Sequence, residues 1–183
     1  MTKPLGVIEH MRGFANMLTR FFLVVACFAL VSGCATQSEK PYPHAGKSPE
    51  QLYSEADALL GEGKNDEAAK LFEVVDRDHP YSPLARRAIV MSAYAYYKAG
   101  MHPEAVTAAK RYTTLHPGTK EAALAQHVIA SSNFDRITDP SRDQARTKET
   151  LKQLQILVRR YPSSPYTPKA RNRIKIATDM LAA

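Results

Sequence analysis

Three prolines set the scale of this chain. Each closes a run that ends on His or Tyr: "DRDHP" at Pro80, "TTLHP" at Pro117 and "VRRYP" at Pro162, spaced 37 and then 45 residues apart. Proline cannot donate a backbone hydrogen bond, and its ring clashes with the preceding helical turn, so it ends helices. The residues between the prolines keep the same step. Ala56 and Ala93, Gly63 and Gly100, Glu67 and Glu104, and Ala68 and Ala105 are each 37 apart. Read in order, a small residue sits in a first helix, Gly ends that helix, Ala packs a second, and Pro stops it. Strand signals are almost absent. Ser48-Pro49, Ser82-Pro83 and Thr167-Pro168 each set a hydroxyl N-cap before Pro at the first helical position. Gln51, three residues after Ser48, completes a capping box, and Gly100 suits a left-handed position just past a helix end.

This order resembles the tetratricopeptide repeat, whose usual period is about 34 residues. The expected fold is all-α: a tetratricopeptide-like α-solenoid of about three helical hairpins plus one unpaired C-terminal helix. Its repeats fall at about 48–81, 82–118 and 119–163, with a partial fourth at 164–183. Phe72, four residues after Ala68, fits the repeat pattern; Ala109 stands where the second unit would have an aromatic, and Leu52 and Ile89 stand where Trp is usual. In the third unit the first helix is predicted from about Lys120 to Arg136 and the second up to Arg160, with Leu154 and Leu157 turned inward. The excess over the period is assigned to the "TDPSRD" connection. In the last helix Ala170, Ile174, Ala177 and Leu181 would line a face with no partner helix, opposite a basic face of Lys169, Arg171, Arg173 and Lys175.

The N-terminal region reads differently. Arg20 precedes "FFLVVACFALV" (21–31), an apolar run of 11 residues. A membrane-spanning helix needs roughly 20, so residues 1–33 are expected to form an export signal. The exit "LVSGC" resembles the bacterial lipobox, which places the lipidation site (S-diacylglycerol and N-acyl) at Cys34. Ala35 follows it where the lipobox resemblance associates Asp with inner-membrane retention, implying the periplasmic face of the outer membrane. Residues 34–47 are expected to form a flexible linker. With Cys27 removed alongside the signal, no intramolecular disulfide and no thiolate metal cluster is expected.

Charge is uneven along the rest. Residues 48–110 hold seven Lys/Arg against ten Asp/Glu, and residues 136–183 hold eleven against four. An exported protein meets almost no nucleic acid, so acidic protein surfaces and anionic lipid are the expected partners of the basic end. Arg136, Arg146, Arg159 and Arg160 are its candidate partner-facing residues. No catalytic constellation is present: there is no G-x-S-x-G, H-E-x-x-H or phosphate-binding loop, and no histidine pair at ligand spacing. Neither a metal nor a cofactor is expected. The concave side of stacked hairpins, lined by first helices, is the natural binding surface. By register, Tyr53, Arg87, Tyr94, Tyr97, Lys98, His127 and Phe134 should face it as a peptide groove, since Tyr and Arg are common binding anchors. Tyr96 falls as readily in the repeat core.

The lipobox Cys34, the linker "ATQSEKPYPHAGKSPEQLY", the helix end "AYAYYKAG" and the stretch "RDQARTKETLKQLQILVRRYPSSPYTPKAR" together resemble the lipoprotein subunits of the outer-membrane β-barrel assembly machinery. The resemblance covers nearly all of 34–183. It implies a non-enzymatic, lipid-anchored role: helping to recognise unfolded outer-membrane proteins, with other subunits of the barrel-assembly complex as partners. Members of that family usually carry about five repeats, so the resemblance also implies that the chain stops inside its fourth, short of the usual docking part. A different exported repeat lipoprotein, scaffolding pilus or cell-wall machinery, is the alternative expectation.

Overall fold

A computed structural model of the chain describes residues 44–182, apart from 45 and 140; the expected signal, Cys34 and nearly all of the linker lie outside the described residues. Seven helices and no strand are found among them. They are α1 (Pro49–Gly61), α2 (Asn65–Asp78), α3 (Pro83–Lys98), α4 (His102–Leu115), α5 (Ala122–Asp135), α6 (Gln144–Arg160) and α7 (Thr167–Ala182). Each helix packs antiparallel on the next, and α1, α3 and α5 also meet one another in series, without comparable contact between second helices. The stack therefore curves with its first helices inside, as the repeat pattern requires.

The punctuation works as read. Ser48 accepts from the Gln51 amide while the Gln51 side chain accepts from the Ser48 amide, and Ser82 accepts from the Leu84 amide. Gly63 and Gly100 adopt φ of +80° and +75°, where an L side chain is strained. Each allows the two reverse bonds of a Schellman end: Gly100 N–H to Tyr97 O at 3.1 Å and Met101 N–H to Tyr96 O at 2.9 Å, with Gly63 and Lys64 repeating the pattern. At the other end, the residues before the three prolines share one backbone conformation. His79, His116 and Tyr161 have φ between −129° and −135° and ψ between 54° and 57°. Two of them also tie one turn to the one before. His79 Nε2 lies 3.0 Å from the Lys47 carbonyl, and Tyr161 Oη donates to the Pro117 carbonyl at 3.1 Å.

Packing follows the small-residue positions. Ala56, Ala93, Ala68 and Ala105 are fully enclosed, with Leu52, Phe72, Val75 and Tyr112 filling the space between helices. One apolar cluster runs from α1 to α5, and Tyr96 belongs to it. A second, smaller one gathers Ala130, Leu154, Leu157 and Ala170 around the α5–α6–α7 junction.

Three expectations need correction. The third hairpin's eight extra residues do not all lie in its loop. The α5–α6 connection has eight residues, 136–143, against three in each earlier hairpin, and α6 has 17 residues where α2 and α4 have 14. A helical turn is a cheaper place for extra chain than a loop, because each added residue gains a backbone bond. Thr167 is not an N-cap acceptor: it is buried as the first residue of α7, and its hydroxyl donates to the Tyr161 carbonyl at 2.7 Å. The apolar stripe of α7 is covered in part, with Ile174 and Leu181 only half-buried. α6 packs on it, Ala170 and Ala177 are buried, and Arg173 turns inward rather than joining a solvated basic face.

Candidate functional site

The inner face is set by side chains one repeat apart. Tyr53 on α1 leans edge-on against Phe72, ring centroids 5.1 Å apart, and carries the Arg87 guanidinium of α3 over its own ring at 5.5 Å. Arg87 is exposed, while burial raises the Tyr53 phenol above its ordinary pKa. This cation–aromatic pair ties α1 to α3.

Farther along, three successive first helices join through a polar ladder. Tyr97 of α3 donates to Asp135 Oδ2 of α5 at 2.8 Å, and Arg173 Nη2 of α7 donates to Asp135 Oδ1 at 2.9 Å. Arg173 Nη1 reaches the Ser131 hydroxyl at 2.7 Å, and its guanidinium lies 4.6 Å over the Phe134 ring. With its side chain only 13% exposed, Arg173 needs this full set of partners to offset lost hydration. His127 stacks on Tyr166 at 4.5 Å and meets Tyr97 edge-on at 6.4 Å.

The structure thus brings Tyr97, His127 and Phe134 together and pairs Tyr53 with Arg87. Tyr94 is half-buried against the core, and burial, with Tyr94 nearby adding to it, raises the Tyr166 phenol above its ordinary pKa. Lys98 stands apart: its side chain is exposed at the end of α3, and its carbonyl accepts from Asn65 at 3.4 Å. Sequence reasoning missed Ser131, Asp135, Tyr166 and Arg173. Spacing held only part of the signal: Tyr97 and Asp135 lie 17 and 18 residues after Pro80 and Pro117, but Arg173 lies 11 after Pro162, so the ladder leaves the repeat register at its last step.

The four candidate arginines of the basic end do not share a patch. Arg146 Nη1 donates to the Arg136 carbonyl at 2.6 Å and helps hold the α5–α6 connection, where Asp143 also accepts from the Thr138 amide. Arg159 and Arg160 are exposed at the other end of α6. Fourteen residues of helix at about 1.5 Å each separate Arg146 from Arg160 by roughly 21 Å.

Burial, with Arg173 and Lys169 nearby, pushes the His127 imidazole down from 6.5 to about 4; Asp135 opposes this only in part. The fold therefore favours neutral imidazole. An unfolded chain takes up a proton as pH falls through about 6.5, whereas the folded one resists until near 4. Stability present above pH 6.5 is accordingly lost between 6.5 and 4, by on the order of 1–2 kcal/mol once partial solvent exposure is allowed for. His127→Gln is expected to flatten that part of the curve of Tm against pH; an unchanged slope would show that the ring is not held neutral.

Among the described residues no group of His, Cys, Asp and Glu could hold a metal, and no helix is long and apolar enough to cross a membrane. Stacked hairpins with their first helices in series define a tetratricopeptide-like α-solenoid. The chain matches the family model described as YfiO, outer membrane lipoprotein, over residues 45–183, and it belongs to that family. It is similar to the outer membrane protein assembly factor BamD of Caulobacter vibrioides, 39% identical over 155 residues that cover 84% of this chain and 51% of the relative. The BamD proteins of Xylella fastidiosa strain 9a5c and Neisseria gonorrhoeae are each 28% identical, over 87% and 90% of this chain and 58% and 66% of their own lengths. The chain thus spans about half to two thirds of these relatives.

Proposed function

We propose that this chain is a non-enzymatic lipoprotein component of an outer-membrane protein assembly complex, working on the periplasmic face. Cys34 carries the lipid, the inner face receives extended segments of unfolded β-barrel precursors, and other subunits of the complex hold the scaffold in place. The observation that carries this reading is the inner face itself. Half-buried rings of Tyr53, Tyr97, His127 and Phe134 line it, and the exposed guanidinium of Arg87 stands at one end. Such a surface suits an extended peptide with aromatic side chains, because rings stack on rings and a guanidinium pairs with carbonyls or carboxylates. Membership of an outer membrane lipoprotein family supports the address, and the relatives named as assembly factors support the role.

Depleting the chain in its own bacterium tests the role, and a second measurement tests the groove. Depletion should lower the amounts of outer-membrane β-barrel proteins. In cells carrying Tyr53→Ser with Arg87→Glu, crosslinking of a nascent barrel protein to the inner face should fall on the order of tenfold, the loss expected for one hot-spot pair. Unchanged barrel protein after depletion would remove the reading.

A further inference from the structure

The short turns between repeats gather on one edge of the stack and the loops within hairpins on the opposite edge. Lys47, where the chain enters α1, belongs to the turn edge, since His79 contacts its carbonyl. Two features separate the edges. Residues 44–52, 75–86, 112–125 and 157–170, which make the turn edge, hold seven Lys/Arg against four Asp/Glu; residues 58–68, 95–105, 132–147 and 179–182, on the loop edge, hold five against eight. Of the three exposed large hydrophobic side chains among the described residues, Tyr81 (100% exposed) and Leu115 (54%) also sit on the turn edge. A fully exposed tyrosine beside a proline turn gains nothing from the fold it decorates.

We propose that this turn edge lies against the anionic phospholipid surface to which the chain is tethered, with Tyr81 and Leu115 entering the interface. The inference rests on lipidation at Cys34. Cys34 and His44 are ten steps apart along the chain, a reach of at most about 36 Å when fully extended. The edge that receives the chain is therefore kept within that reach of the bilayer. Cationic side chains there meet anionic headgroups, and tyrosine suits the boundary because its ring is apolar and its hydroxyl wet. A cleft of about 740 Å³ opens on the same edge between the Pro117 and Pro162 turns, with Lys120 and Arg160 against Glu121 among its charged lining residues, and offers room for a headgroup. On this reading Arg159 and Arg160 serve the lipid surface rather than an acidic subunit.

The chain contains no tryptophan, so Tyr81→Trp supplies a single indole reporter. The full chain would be isolated from a bacterial envelope, checked by mass for acyl groups on Cys34, and placed in vesicles of phosphatidylethanolamine and phosphatidylglycerol with brominated acyl chains. Indole emission from the Tyr81→Trp chain should shift to the blue and be quenched at least twofold. Emission from a separate Lys64→Trp chain, with its reporter on the loop edge, should stay water-like. Reversing Lys120, Arg159 and Arg160 to Glu in the Tyr81→Trp background should restore most of the emission. If the acylated Tyr81→Trp chain behaves like the Lys64→Trp chain, the inference is overturned and the anchor stands. Full quenching after charge reversal, with weaker recovery of partner subunits, returns Arg159 and Arg160 to a protein surface and overturns it as well. A chain bearing no acyl mass overturns the anchor and this inference together.

Discussion

Replacing Cys34 with Ser is expected to abolish incorporation of labelled palmitate and to move the chain out of the membrane fraction. The reason is chemical. The diacylglycerol transfer needs a sulfur nucleophile, and at neutral pH a thiol supplies a reactive thiolate fraction that a hydroxyl does not. Loss should be nearly complete, because a lipidated N-terminal cysteine carries more than one acyl chain and no described helix can span a bilayer in its place. Cys27→Ser offers an internal control. It changes the apolar run upstream and should leave labelling at Cys34 intact. Persistent labelling of the Cys34→Ser chain, or its retention in washed membranes at high salt, would show that the anchor lies elsewhere.

Different physics made parts of this molecule legible and hid others. The helix ends could be read because Gly and Pro act through their own backbones: Gly100 reaches a positive φ and Pro117 stops α4 whatever surrounds them. The enclosed alanines were equally plain, since Ala56, Ala93, Ala68 and Ala105 keep one residue type at one register. The ladder of Tyr97, Asp135 and Arg173 was not. Its first step keeps the repeat register and its second does not, and its chemistry changes at each step, from phenol to carboxylate to guanidinium, so a search for like residues passes over it. Arg173 looked like part of a solvated face because Lys169, Arg171 and Lys175 surround it in sequence, and only the packing of α7 on its neighbours turns it inward. Thr167 misled for a related reason. A hydroxyl before Pro suggests a cap, yet the nearby Tyr161 carbonyl needed a donor. Of the residues that register assigns to the groove, Tyr97, His127 and Phe134 come together around Asp135 and Arg173, while Lys98 stands exposed at the end of α3.

Phe72→Ala is expected to cost about 3–5 kcal/mol, a large share of the 5–15 kcal/mol that typically holds a domain together. Phe72 is completely enclosed in the cluster that runs from α1 to α5, and its ring supports Tyr53, which in turn carries Arg87. Truncation therefore removes apolar contacts, leaves a cavity too well framed to collapse, and frees the aromatic end of the groove. The matching position in the second repeat is Ala109, also fully buried, and in the third it is Leu154. One register thus accepts three volumes, all of them enclosed. Leu154→Ala should cost about 2–5 kcal/mol by the same reasoning, but it lies in the smaller cluster with Leu157, Ala130 and Ala170. Its effect should appear as faster amide exchange in α6 and α7, with α1 to α4 protected, because nearest-neighbour contacts carry stability in a stacked array. Phe72→Ala should instead speed exchange throughout α1 to α5 and lower Tm by roughly 10–20 °C. A loss below about 1 kcal/mol, or exchange that rises only in α1 and α2, would mean that the first hairpin melts alone and that the long cluster is not one cooperative unit.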